Sequence, residues 1–153
     1  MTDQAPVEFG YDPDPDNPGW MIWGPRENAQ FNSLYNPVRV KEEGAGLARV
    51  RIMPQPILTS ATGRMHGGAT AGFIDIALFA GIRGCGIQHE GIAVTLDLSI
   101  QYIAPGLAGQ HMDAVVELIR ETGRMAFVRG KVEQEAGTIA TFMATLRKGQ
   151  SRR

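Results

Sequence analysis

The apolar positions of this chain fall into two kinds of run. From Ala69 to about Arg83 they come almost without interruption, with Phe73, Ile74, Ile76, Leu78 and Phe79 set around a single acid, Asp75. A stretch that is apolar on nearly every side, ended by Gly84 and Gly86, predicts one helix wrapped by a sheet. It is broken by Asp75 and falls short of the roughly 20 apolar residues that a membrane span needs. Elsewhere the apolar residues alternate with polar ones at period two. Val38–Lys41 and Leu47–Met53, joined by Glu43-Gly44-Ala45-Gly46, predict a hairpin. After the helix come Ile92–Ile103, Met112–Arg120, Met125–Gln134 and Thr138–Arg147, separated by Ala104-Pro105-Gly106, Glu121-Thr122-Gly123 and Ala136-Gly137. Two strands, one long buried helix and four more strands predict an α+β domain, a single sheet curled around its helix. Regular alternation on Ile92–Ile103 puts Thr95, Asp97, Ser99 and Gln101 on one face, with Val94, Leu96, Leu98 and Ile100 on the other.

The first residues follow neither pattern. Positions 1–19 are rich in Pro, Asp and Gly, which excludes a helix or a central strand and predicts an extended arm. Trp20-Met21-Ile22-Trp23 then forms an apolar knot, costly to leave in water, that anchors the arm to the body or covers a pocket. Residues from Pro25 to Leu34 suit a short helix with proline at its start, and Pro54 to Met65 read as a loop. The expected organisation is an arm over 1–24, one domain over 25–148 and a short basic tail over 149–153.

Composition narrows the class of function. The 153 residues suit one core, and 43% hydrophobic with 20% charged residues is ordinary for a globular chain. A net charge of −1 argues against a nucleic-acid partner, which calls for a basic excess. The single Cys85 excludes an internal disulfide and any multi-cysteine metal site, and fits a reducing cytoplasm. Met1 to Gly10 lack the basic and apolar regions of a signal peptide. The expectation is a cytoplasmic protein with no membrane partner, no metal and no cofactor.

Candidate chemistry concentrates in one loop–helix unit. Asp75 among large apolar side chains needs a partner, a locally exposed helix face or a catalytic reason. His66-Gly67-Gly68 lies just before the helix, where two glycines allow close approach and their amides face outward at the positive helix end. Such amides can hold a developing oxyanion, although a Gly-Gly pair also serves as a tight lead-in to a helix and a histidine there as a cap. Asp75 lies about two turns past the glycines, roughly 10 Å along the axis. One chain's Asp75 therefore does not easily meet its own Gly67 at a single carbonyl: either the substrate is long or two subunits share the site. His89 and His111 carry no partner pattern, and Cys85 reads as a packing residue at the helix end.

Met65-His66-Gly67-Gly68 with Asp75, then Val94-Thr95-Leu96-Asp97-Leu98-Ser99 leading to Ala104-Pro105-Gly106, resembles the PaaI-type hotdog acyl-CoA thioesterases. The resemblance runs from about Val38 to Lys148 and includes the Thr122-Gly123-Arg124 turn. It implies the hotdog fold and hydrolysis of an acyl-CoA by a homodimer that assembles as a homotetramer, the His-Gly-Gly of one subunit facing the acid of the other. Gly67 would supply the amide that polarises the thioester carbonyl, beside His66 and Gly68. Asp75 would be nucleophile or general base, and Thr95 would help hold the attacking water. Two positions depart from the family: Ser60 stands where an Asn or Gln is common, and Phe79 where some relatives have Thr, which suggests a greasier acyl pocket. Arg124 is the candidate for the coenzyme A phosphates; Arg147, Lys148, Arg152 and Arg153 read better as solvated charge. Asp97 reads as structural. The competing readings are a hotdog hydratase or dehydratase, whose motif is not evident, and a non-catalytic acyl-CoA-binding protein, which gains little from an acid such as Asp75.

Overall fold

The computed structural model describes residues 7–27 and 30–150. Among them are eight strands and one long helix. The strands are β1 (Phe9–Pro13), β2 (Met21–Pro25), β3 (Val38–Gly44), β4 (Leu47–Ile52), β5 (Val94–Tyr102), β6 (Met112–Glu121), β7 (Met125–Gln134) and β8 (Gly137–Arg147), and the helix is α1 (Gly67–Gly84). They make one sheet in the order β1-β2-β3-β4-β6-β7-β8-β5, and every neighbouring pair is antiparallel. The sheet curls around α1, the hotdog arrangement expected above.

Burial of α1 explains its composition. Phe73, Ile74, Leu78 and Ile82 are almost fully enclosed, as are Val40, Val50, Met112 and Val116 on the strands facing them. The helix packs mainly on β3, β4 and β6, and two glycines allow it to come close. A Cβ on Gly81 would stand 2.6 Å from Val116, and one on Gly84 would stand 2.6 Å from Val40 and 2.8 Å from Ala48. No helix among the described residues is long and apolar enough to cross a membrane.

Three details differ from the sequence reading. First, the arm contributes structure: Phe9–Pro13 pairs with Met21–Pro25 as an edge hairpin added to β3. The prolines suit an edge, where a strand needs only one row of hydrogen bonds. Second, Pro25 ends a strand and starts no helix; the short helical turn lies later, at Phe31–Tyr35, and is of the 3₁₀ type. Residues 28 and 29 of the expected helix, and residues 1–6 and 151–153 of the expected arm and tail, lie outside the described residues. Third, α1 begins at Gly67, two residues before the expected Ala69, so both glycines belong to its first turn.

Candidate active site

The start of α1 is set by His66. Its backbone is extended, and its imidazole Nδ1 accepts a hydrogen bond from the Gly68 N–H at 2.9 Å. A side chain doing this satisfies one of the unpaired N–H groups that every helix presents at its start. His66 therefore acts as a cap, and its Nδ1 is occupied. The Gly67 N–H has no hydrogen-bond partner among the described residues, and all of His66-Gly67-Gly68 is exposed. On the carbonyl side, Tyr102 at the end of β5 donates its hydroxyl to the Gly67 oxygen at 2.7 Å. Gly67 is thus held by its C=O with its N–H free, at the positive end of an 18-residue helix.

Asp75 is two turns further on and half-buried, less enclosed than its apolar neighbours suggest. Its partner is Thr95, whose hydroxyl donates to Oδ1 at 2.7 Å. Two other acids are more deeply buried, Asp14 and Asp113. Arginine answers each of them: Arg39 reaches Asp14, while Arg49 and Arg51 reach Asp113. Asp75 has no cation beside it among the described residues, so the ordinary structural reason for a sheltered acid does not apply to it.

Regular alternation would have turned Thr95 away from the helix. A bulge decides otherwise. Thr95 pairs with Leu146 and Asp97 with Thr145, which leaves Leu96 as an extra residue between them. The extra residue reverses the facing of whatever precedes it. Thr95 consequently shares the inner face with Leu98 and Ile100, opposite the buried Leu146, Ala144 and Phe142, while Leu96 is 55% exposed.

Asp75 lies in a cleft of about 710 Å³. Phe79, one helical turn on, lines it with Ile76, Ile82 and Arg83. Its other walls are Phe9, Tyr11 and Trp23 from the N-terminal hairpin and the segment Ile87–Ala93. The strands of this hairpin were missed from the sequence because they are short and Pro-rich, although the Trp20–Trp23 knot already pointed to an anchor or a pocket cover. The two tryptophans part: Trp23 is buried against the cleft, while Arg51 stacks on Trp20 with its guanidinium 4.7 Å from the ring centroid. His89 also lines the cleft.

Besides the cap His66, and Thr95, which reaches the cleft only through its bond to Asp75, four candidates stand outside it in the protomer. Gly67 and Gly68 are at the far end of the helical stripe. Ser60 is engaged in a tight turn, its hydroxyl 2.8 Å from that of Thr62. Arg124 is exposed, with its carbonyl accepting from Lys148 N–H at 2.8 Å. Lys148 itself pairs with Glu121 at 2.6 Å. Cys85, at the helix C-cap, has its thiol pushed up to about 11, chiefly by burial, which disfavours the thiolate. No cluster of three or more His, Cys, Asp or Glu among the described residues could hold a metal ion.

Against known families, the profile of the thioesterase superfamily matches residues 62–141. The chain belongs to the thioesterase superfamily. The matched span takes in the helix cap, α1, Thr95 and Arg124, and leaves β1 to β4 and Ser60 outside. Solved structures share the superfamily fold. The PaaI protein of the Escherichia coli phenylacetic acid degradation operon superposes with a TM-score of 0.61 at 18% identity, over 72% of this chain and 78% of that one. A mutant of the phenylacetic acid degradation protein PaaI from Thermus thermophilus gives 0.62 at 24% identity, over 76% and 96%. A hypothetical thioesterase from Streptococcus pneumoniae, solved with coenzyme A, gives 0.66 at 16% identity, over 79% and 92%. At these identities the likeness is one of fold. No curated protein matches the chain.

Proposed function

We propose that this chain hydrolyses acyl-CoA thioesters to a free acid and coenzyme A, at a site shared by two copies in a homodimer that pairs again as a homotetramer. The observation that carries the reading is the Thr95–Asp75 hydrogen bond at 2.7 Å, with Asp75 lining a largely apolar cleft. The hydroxyl occupies one carboxylate oxygen and leaves the other to act on a substrate. Membership of the thioesterase superfamily supports the reaction class. The coenzyme A in the Streptococcus pneumoniae structure supports the leaving group.

Gly67 supplies the complementary half. Eight residues separate it from Asp75, about 12 Å of helix rise, and the cleft that holds Asp75 does not include it. A thioester carbonyl against the Gly67 N–H of one copy is therefore attacked with help from Asp75 of the other. Asp75 either takes a proton from water as its oxygen bonds to the carbonyl carbon, or attacks directly to give a mixed anhydride that water then opens. In both routes the carbon–sulfur bond breaks and coenzyme A departs as a thiolate, which needs no strong general acid. Thr95 orients Asp75, Phe79 lines the acyl side, and Arg124 on its exposed turn meets the phosphates.

The test is thiol release from a panel of acyl-CoAs by Asp75→Asn. Removal of the general base or nucleophile lowers turnover by about 10²- to 10⁴-fold, with the melting temperature held. Unchanged turnover in a folded Asp75→Asn would falsify the assignment.

A further inference from the structure

One wall of the cleft comes from outside the segment that matches the superfamily. The floor is a single stripe of α1, where Asp75, Phe79 and Arg83 follow at four-residue steps. Phe9, Tyr11 and Trp23 stand opposite. Strand register explains why these three rings face the same way. Tyr11 pairs with Trp23, and Phe9 is two residues from Tyr11. The intervening positions turn to the other side, where Arg26 bridges Glu8 and Asp12. The hairpin is therefore two-faced, charged outside and aromatic inside. Phe9 keeps half its surface exposed, with its ring centroid 5.1 Å from that of Trp23. Aromatic surface left open along a cleft favours an apolar occupant.

The cleft also has a length and an end. Asp75 and Arg83 are eight residues apart, about 12 Å along the helix. At the Arg83 end the guanidinium lies over the Tyr11 ring, 4.3 Å from its centroid. We propose that the β1–β2 hairpin gauges the acyl chain, with Tyr11 stacked under Arg83 as the end stop of a slot that starts at Asp75 and takes a linear chain of medium length. The inference rests on the reading of Asp75 given above. An extended chain advances roughly 1.2 Å per bond, so the slot holds about ten carbons. A volume of about 710 Å³ is more than an acetyl group fills.

The experiment compares kcat/KM for acetyl-, hexanoyl-, decanoyl-, hexadecanoyl- and phenylacetyl-CoA in the full chain and in Tyr11→Ala and Tyr11→Trp. The parent protein should prefer decanoyl-CoA. Tyr11→Ala should raise the ratio of hexadecanoyl to decanoyl turnover at least tenfold, and Tyr11→Trp should move the optimum toward hexanoyl. One length profile shared by all three proteins, or an optimum at acetyl or phenylacetyl, overturns the gauge. Calorimetric binding of decanoyl- and hexadecanoyl-CoA to Asp75→Asn, with and without Tyr11→Ala, reads the slot without turnover. Tighter hexadecanoyl binding on opening the stop supports the gauge, and equal binding overturns it. Full turnover by Asp75→Asn with the length profile still shifted would instead sink the catalytic reading and leave the gauge standing.

Discussion

A carboxylate that accepts from a single hydroxyl keeps its second oxygen available, and among the described residues this is the state of Asp75 beside Thr95. A hydrogen bond to a charged group contributes about 1.5–3 kcal/mol. If Thr95 serves to aim the carboxylate, Thr95→Val should lower kcat by roughly 10- to 100-fold with little change in KM, while Thr95→Ser should restore most of it. A KM effect with kcat intact would mean that Thr95 only shapes the cleft. Asp75 itself was legible in the sequence as the one acid of an apolar helix. Its bond to Thr95 was not, because the bulge at Leu96 depends on how β5 pairs with β8. The resemblance pointed to Thr95, whereas simple alternation pointed away from it.

At the scale of elements, the N-terminal hairpin is where sequence and structure diverge most. Its turn is organised by Asp14, which accepts from the Asp16 N–H at 3.0 Å and the Asn17 amide at 2.9 Å, and which pairs with Arg39 on β3. The Arg39 hydrogen bond, aided by those from Asp16 and Asn17, holds the Asp14 carboxyl down to about 2, against an ordinary value of 3.8. A carboxyl depressed in the folded state stabilises fully above its unfolded value, and the contribution is lost as pH falls through the folded one. Between about pH 4 and pH 2, the parent protein should therefore lose more melting temperature than Asp14→Asn, and above pH 5 the parent should be the more stable. Parallel melting curves for the two proteins across that window would show that the hairpin is held by its strand pairing alone. The period-two signal was too weak here, with two short strands and a turn full of proline, whereas the long alternating strands β6 to β8 were readable nearly to their ends.

At the scale of the molecule, the proposed shared site makes a prediction that no single chain can satisfy. Gly67→Ala should fold, because the added Cβ would stand 3.8 Å from Tyr102, an ordinary contact. On the proposed reading it crowds the carbonyl against the amide and lowers activity, as Asp75→Asn does from the other side. Co-expressed, the two variants should recover activity in mixed dimers that neither shows by itself, since one of the two sites is then intact. Activity no higher than the sum of the separate variants would place Gly67 and Asp75 in the same chain's site. The half-exposed Asp75, and the Gly67 N–H and the edge of β5 that find no partner among the described residues, are all features of one protomer.

The linear order of residues was sufficient for the class of fold, the central helix, the run of closing strands and the His-Gly-Gly…Asp pattern. These depend on local periodicity and on residues close in the chain, which are written directly into the order of side chains. Whether His66 caps the helix, how far Asp75 is sheltered, which way Thr95 faces and what walls the cleft were decided only on folding. Each of these depends on a partner distant in sequence or on one extra residue in a strand pairing, and period alone cannot register such a partner. The same limit explains Tyr11 and Arg83: they are 72 positions apart and become neighbours only when the first strand closes over the last turn of the helix.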